Sequence, residues 1–198
     1  ALENFPISGL KAHPALVRAM VQVKRAAAVA NGELGGIPPE RAAAIVQACD
    51  EVLAGRFADQ FPVDVFQMGA GTAFHMNVNE VLANRANEIL GGARGTYDRV
   101  HPNDHVNRGQ STNDCFPTAM RVAAATLAGD LAAELDALAQ AFLHKGREFA
   151  SLVKSGRTHL MDAAPVTLGQ EFTAYGRTIE ACREEVERGR LAVCEVGL

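Results

Sequence analysis

Three short polar runs carry residue types that can act on an oxygen-rich anion. The first is Gly69-Ala70-Gly71-Thr72, which leads into Met76-Asn77-Val78-Asn79-Glu80. Glycines let a backbone come close to a ligand, and a helix starting beside them points amide N–H groups outward. It is not a dinucleotide fingerprint, because no strand precedes it and the third glycine of GxGxxG is missing. A tight turn into a helix accounts for the same residues. The second run is Gln110-Ser111-Thr112-Asn113-Asp114. Any one of Ser, Thr, Asn or Asp can cap a helix. Four in a row exceed one cap, and the surplus hydroxyls and amide at the positive end of a helix would hold a carboxylate. The third run is Ser155-Gly156-Arg157-Thr158-His159. Arg157 can grip a carboxylate bidentately or lock a loop, and the His159 imidazole can donate a hydrogen bond or move a proton. Together the runs point to convergence on a small anionic ligand.

Other candidates are weaker. His101 and His105 have metal-like spacing, yet Pro102 stands between them and no third ligand is evident. Cys115 adjoins the second run but precedes Phe116-Pro117 without a paired base, which reads as a packed thiol. No Ser-His-Asp order suggests a nucleophilic triad. No metal and no cofactor are expected.

The elements that must position these runs are helical. Leu16, Met20, Val23, Ala27 and Ala30 step at helical intervals, with a stop at Asn31-Gly32. Pro38-Pro39 opens a second helix with the stripe Ile45, Cys49 and Val52, ending at Gly55. A third is expected from Met76 to Leu90, before Gly91-Gly92. Ala93 to Gln110 has no sustained period and reads as a long polar loop. From about Pro117 to Phe149, Leu127, Leu131, Leu135, Leu138, Phe142 and Phe149 form one heptad-like seam. A second long helix is expected from near Val166, with Phe172, Tyr175, Ile179, Cys182, Val186 and Val193 along it. Evidence for strands is minimal. Helices this long build a bundle, between subunits or as one intrachain hairpin.

Composition bounds the function. The chain has 198 residues, 48% of them hydrophobic and 21% charged, with a net charge of -4. That balance lacks the basic stripe a nucleic-acid binder needs. No apolar run reaches the roughly 20 residues of a membrane span. Four scattered cysteines suit a reducing compartment better than a disulfide or zinc framework. The chain opens on Ala1 and closes on Leu198, and it is expected to be an internal piece of a longer protein.

The three runs also carry a resemblance. Gly69-Ala70-Gly71-Thr72 with Met76 to Ala86, His101-Pro102-Asn103-Asp104-His105-Val106-Asn107, Gln110 to Asp114, and Gly156-Arg157-Thr158-His159 with Asp162-Ala163, Pro165 and Leu168 to Phe172 closely resemble the aspartase/fumarase superfamily. Glu3 to Ile7, Ile45 to Gly55 and Thr112 are similar to bacterial aspartases; His101 to His105 and Phe116 to Met120 look at least as fumarase-like. His75, Gly109 and Met161 depart from the Asn, Ser and Gln common in relatives. The resemblance implies an all-α chain. Residues 1–110 would form an N-terminal helical domain, and 111–198 the first, truncated part of a central long-helix bundle.

It further implies a cytoplasmic lyase that eliminates ammonia from L-aspartate to give fumarate, the alternatives being a class II fumarate hydratase acting on malate and a non-catalytic helical assembly relative. Thr72, Ser111, Thr112 and Asn113 would grip the substrate carboxylates, with Thr158 and His159 catalytic near the leaving group. His101, Asn103 and Asp104 would match a secondary dicarboxylate site. The basic serine of a Gly-Ser-Ser loop does not occur here and is expected beyond Leu198. The active site would be shared between subunits of a homotetramer, so the three runs are expected to lie far apart in one protomer.

Overall fold

In the computed structural model, which describes residues 1–67 and 69–195, helices dominate. Met68 and Val196-Gly197-Leu198, the last three closing the expected second domain, lie outside the described residues. The elements are α1 (Pro14–Glu33), α2 (Pro39–Leu53), α3 (Thr72–Ile89), α4 (Thr112–Glu148), β1 (Val153–Thr158), β2 (Met161–Thr167) and α5 (Leu168–Ala192). The chain forms two units, residues 1–123 and 124–195, with α4 contributing to both. Among the described residues the all-α expectation holds apart from one small two-stranded sheet.

The first unit is built on α1, α2 and α3. Proline opens two of them: Pro14 follows His13, whose Nδ1 accepts from the Ala15 amide at 3.1 Å, and Pro39 opens α2. A proline costs little there because the first turn has no helical partner for its N–H. Met20 and Val21 of α1, Ile45 and Cys49 of α2, and Val78, Leu82, Ala83 and Ala86 of α3 share one core. Full burial of each large aliphatic side chain contributes about 1.5–3 kcal/mol. The early turns of α4 add Cys115, Ala119 and Ala123 to it. Asn87 is buried yet fully used: it donates to the Ala83 and Val100 carbonyls and accepts from the Arg99 and Val100 amides. One amide therefore pins the start of the loop that carries His101.

In the second unit α4 packs on α5 through small residues. Ala132 and Ala139 are buried, and Gly169 faces the backbone of Gly146 and Ala150 with no room for a Cβ. Phe142 and Phe149 meet Phe172 edge-on, with ring centroids 5.9 and 5.3 Å apart. Thr167 and Gln170 cap α5 reciprocally, in a capping box. The single seam read along the sequence is divided. Phe142 and Phe149 face α5 inside the chain, whereas Leu127, Leu131 and Leu138 are 45%, 50% and 43% exposed. The close approach belongs to the alanine and glycine face, which a search for leucines passes over.

Other boundaries shift as well. Helix α3 starts at Thr72, four residues before Met76, because Gly71 at φ 94° turns the chain directly into it. Helix α4 starts at Thr112 and includes Pro117. That proline cannot donate to the Asn113 carbonyl, a loss tolerated so near the helix start. The connection between the long helices is not a loop but an antiparallel hairpin pairing Val153 with Thr167 and Thr158 with Met161. Ser, Gly, Arg and Asp mask its β-branched residues, so the strands escape propensity reasoning.

Candidate functional site

The starts of α3 and α4 come together. Gly71 lies against the Phe116 ring, where a Cβ would stand 2.6 Å from the ring carbons, so only glycine fits at this φ of 94°. One helical turn on, His75 Nδ1 lies 2.8 Å from the Thr112 hydroxyl oxygen. The first and second polar runs are thus joined within one unit, against the expectation that all three lie far apart. The third run belongs to the other unit.

Each residue of the second run has its own part. Ser111 is the cap of α4: its carbonyl accepts from the Cys115 amide at 3.0 Å and its hydroxyl from the Asn113 amide at 3.2 Å. Thr112, the first helical residue, is left out of the capping and turned to His75. Asn113 is exposed, and Asp114 accepts from Thr118 Oγ1 at 3.5 Å. In the first run, the Thr72 hydroxyl donates to the Gly69 carbonyl at 2.5 Å.

Behind His75 lies a fully buried lysine. Lys24 Nζ is 2.6 Å from His75 Nε2, 2.9 Å from Asn107 Oδ1 and 2.9 Å from Gln110 Oε1. Both amides are oriented by their N–H groups, Asn107 donating to the Gln110 carbonyl and Gln110 to the Val106 carbonyl. Burial pushes the Lys24 ammonium down to about 8, against the attraction of Cys115, Cys49 and Asp114. Burial, and then the charge of Lys24, press the His75 imidazole down to about 4, so at neutral pH the ring is uncharged. Cys115 is buried with its thiol pushed up by desolvation, the behaviour of a packed cysteine.

His101 caps a π turn (Pro102–Val106), its Nδ1 accepting from the Asn103 and Asp104 amides at 3.3 Å each. His105 Nδ1 accepts from the His101 amide at 2.8 Å, and its Nε2 faces Arg41 Nη1 at 2.6 Å. Burial, and then the Arg41 charge, hold His105 below the usual histidine range. His101, Asn103 and Asp104 are therefore gathered on one short turn.

In the second unit, Thr158 ends β1 and His159-Leu160 form the two-residue turn of the hairpin. Both turn residues have positive φ, 49° and 62°, where Asn and Gly are usual. His159 is held at an exposed tip with Leu160 95% exposed, and Arg157 lies 3.6 Å from Asp162 across the strands. A non-glycine pair in this conformation is strained by about 1–3 kcal/mol per residue.

The ordered runs match the family described as "Lyase" over residues 1–195. The chain belongs to the aspartase/fumarase superfamily of lyases. It is 46% identical over 198 residues to an aspartate ammonia-lyase of a Bacillus species, covering 100% of this chain and 42% of that protein. It is 54% identical over 176 residues to a class II fumarate hydratase of Nitrosomonas europaea, covering 88% of this chain and 38% of that protein. The crystal structure of a fumarate lyase:delta crystallin from Brucella melitensis superposes with a TM-score of 0.96 at 50% identity, over 100% of this chain and 46% of that one. The chain spans less than half the length of these superfamily relatives.

Within this superfamily member, sequence reasoning found Thr112 and Ser111 but passed over Lys24, and it treated His75 only as a departure. A signal for Lys24 was present. Met20, Lys24 and Ala28 step by four along α1 and all three are buried, so a lysine stands in an apolar row.

Proposed function

We propose that the full-length protein containing this chain eliminates ammonia from L-aspartate to give fumarate. Its residues 1–110 would form the N-terminal helical domain, and 111–198 would open the central bundle. The observation that carries the reading is the freed Thr112 hydroxyl at the positive end of α4, beside the glycine turn into α3. Removing a proton from the carbon next to a carboxylate leaves an aci-carboxylate, whose added charge needs fixed donors. Ser111, Thr112 and Asn113 supply such donors, and Thr72 joins them once its hydroxyl turns from the Gly69 carbonyl to the substrate. Thr158 and His159 serve the departing ammonia, with the hairpin tip carrying His159 to the site of another subunit. The basic serine comes from a part of the protein outside this chain. The outward row Leu127, Leu131 and Leu138 meets other subunits of a cytoplasmic homotetramer. His101, Asn103 and Asp104 hold a second dicarboxylate. No helix of the described residues is long and apolar enough to cross a membrane.

The second reading, a class II fumarate hydratase, is favoured by the 54% identity to the Nitrosomonas protein. Fumarate absorbs in the ultraviolet, so the full-length protein is given L-aspartate and L-malate separately. Fumarate from aspartate is expected. Fumarate from malate alone would transfer the reading to the hydratase.

A further inference from the structure

The buried ammonium of Lys24 has three N–H donors, and three acceptors surround it: His75 Nε2, Asn107 Oδ1 and Gln110 Oε1. The amide oxygens are fixed as acceptors because their NH₂ groups donate to the Gln110 and Val106 carbonyls. The third N–H must therefore go to His75 Nε2. A neutral imidazole carries one N–H, so accepting at Nε2 places the proton on Nδ1. Nδ1 lies 2.8 Å from Thr112 Oγ1, which must then accept. Among the described residues the Thr112 hydroxyl makes no other hydrogen bond, and Ser111 has taken over the capping of α4. Its own proton is left to point away from His75.

From this wiring we infer that Lys24 and His75 are positioning residues, setting the Thr112 hydroxyl as an obligate donor toward a bound carboxylate. The inference rests on the carboxylate-binding role proposed for Thr112, and it adds the source of that group's polarity. Without the relay a threonine hydroxyl spends part of its time donating to a neighbour. With it, the donor is fixed before the ligand arrives, and no reorganisation is needed as charge builds on the carboxylate.

The discriminating variants differ in polarity and hardly in shape. In His75→Asn, the amide N–H takes the place of the imidazole Nδ1–H and still donates to Thr112. In His75→Asp, a carboxylate oxygen occupies that place and draws the Thr112 proton inward, beside the compensating charge of Lys24. Binding of succinate, a non-reacting dicarboxylate, is measured by calorimetry on the full-length protein. KM and kcat are measured with the substrate that the parent turns over. His75→Asn should stay within a few-fold of the parent. His75→Asp should weaken succinate binding and raise KM by roughly 10- to 100-fold, as expected for one lost hydrogen bond to a charged group.

Equal behaviour of the two variants would overturn the inference. A second measurement needs neither turnover nor a folded Asp variant. Solid-state ¹⁵N spectra of histidine-labelled protein, with His75 assigned by its absence in His75→Asn, should show a protonated Nδ1 and a bare Nε2. The opposite tautomer would also overturn it. If the parent neither binds succinate nor forms fumarate, the proposed function fails, while the spectra still decide the tautomer.

Discussion

His75 Nδ1 and Thr112 Oγ1 stand 2.8 Å apart, a contact that fastens the first turn of α3 to the first residue of α4. It turns two helix starts that are 40 residues apart in sequence into one polar surface. The hydrogen bond also excludes the simplest structural role for Thr112, since Ser111 caps the helix instead.

The joint depends on Gly71. Gly71→Ala would force a methyl to within 2.6 Å of the Phe116 ring at a φ of 94°. Overpacking of this kind costs about 1–3 kcal/mol, with backbone strain in addition. Gly91→Ala is the control, having positive φ but nothing within 4 Å of the added methyl. Urea midpoints should fall further for Gly71→Ala than for Gly91→Ala. Equal shifts would show that the Phe116 contact contributes nothing.

Acid should weaken the first unit through His75. Its folded value is about 4 against an ordinary 6.5, so between those limits the unfolded chain takes up a proton that the folded chain refuses. Stability therefore falls as the pH drops through that window, by up to about 3 kcal/mol at 1.36 kcal/mol per unit. Lys24 acts with the same sign at the alkaline end: from about 8 to 10.5 the folded form releases its proton first, and stability rises with pH. Urea unfolding at pH 7 and pH 4.5 should show a smaller acid loss for His75→Asn than for the parent. Identical losses would contradict the buried neutral imidazole.

His159 offers a substitution that spares the fold. Asparagine tolerates positive φ better than histidine does, so His159→Asn suits the turn at φ 49°. Turnover of the full-length enzyme should nevertheless fall, by about 10²–10⁴-fold if the imidazole transfers a proton. Succinate binding should change much less. Unchanged turnover would reduce His159 to a turn residue.

Much of this was legible in the sequence, for identifiable reasons. The apolar steps through Met20 and Ile45 place α1 and α2 because a buried helix face repeats every three to four residues, and Gly91-Gly92 marks the end of α3. Pro39 and the run beginning at Ser111 mark helix starts through their backbone chemistry. The hairpin was hidden because Ser, Gly, Arg and Asp interrupt the β-branched residues of two short strands and leave no alternating pattern. The division of the long seam was hidden because Ala132, Ala139 and Gly169 make the close contact, and small residues give no periodic signal. Lys24 showed only as a lysine in an apolar row, and His75 only as a departure from its relatives. Their meaning lies in a contact across 51 residues, which no local pattern encodes.

The central claim is that the start of α4 binds a substrate carboxylate through the Thr112 hydroxyl. Thr112→Val keeps the side-chain shape and removes that hydroxyl, and Ser111 still caps the helix. The decisive measurement is kcat/KM of the full-length enzyme, taken with the melting temperature on the same preparation. A loss of about 1–3 kcal/mol in transition-state stabilisation is predicted, a fall in kcat/KM of roughly 5- to 150-fold. It should appear in kcat as well as KM, because the donor tightens as charge builds on the aci-carboxylate. A lowered melting temperature with kcat/KM at the parent value would contradict the claim.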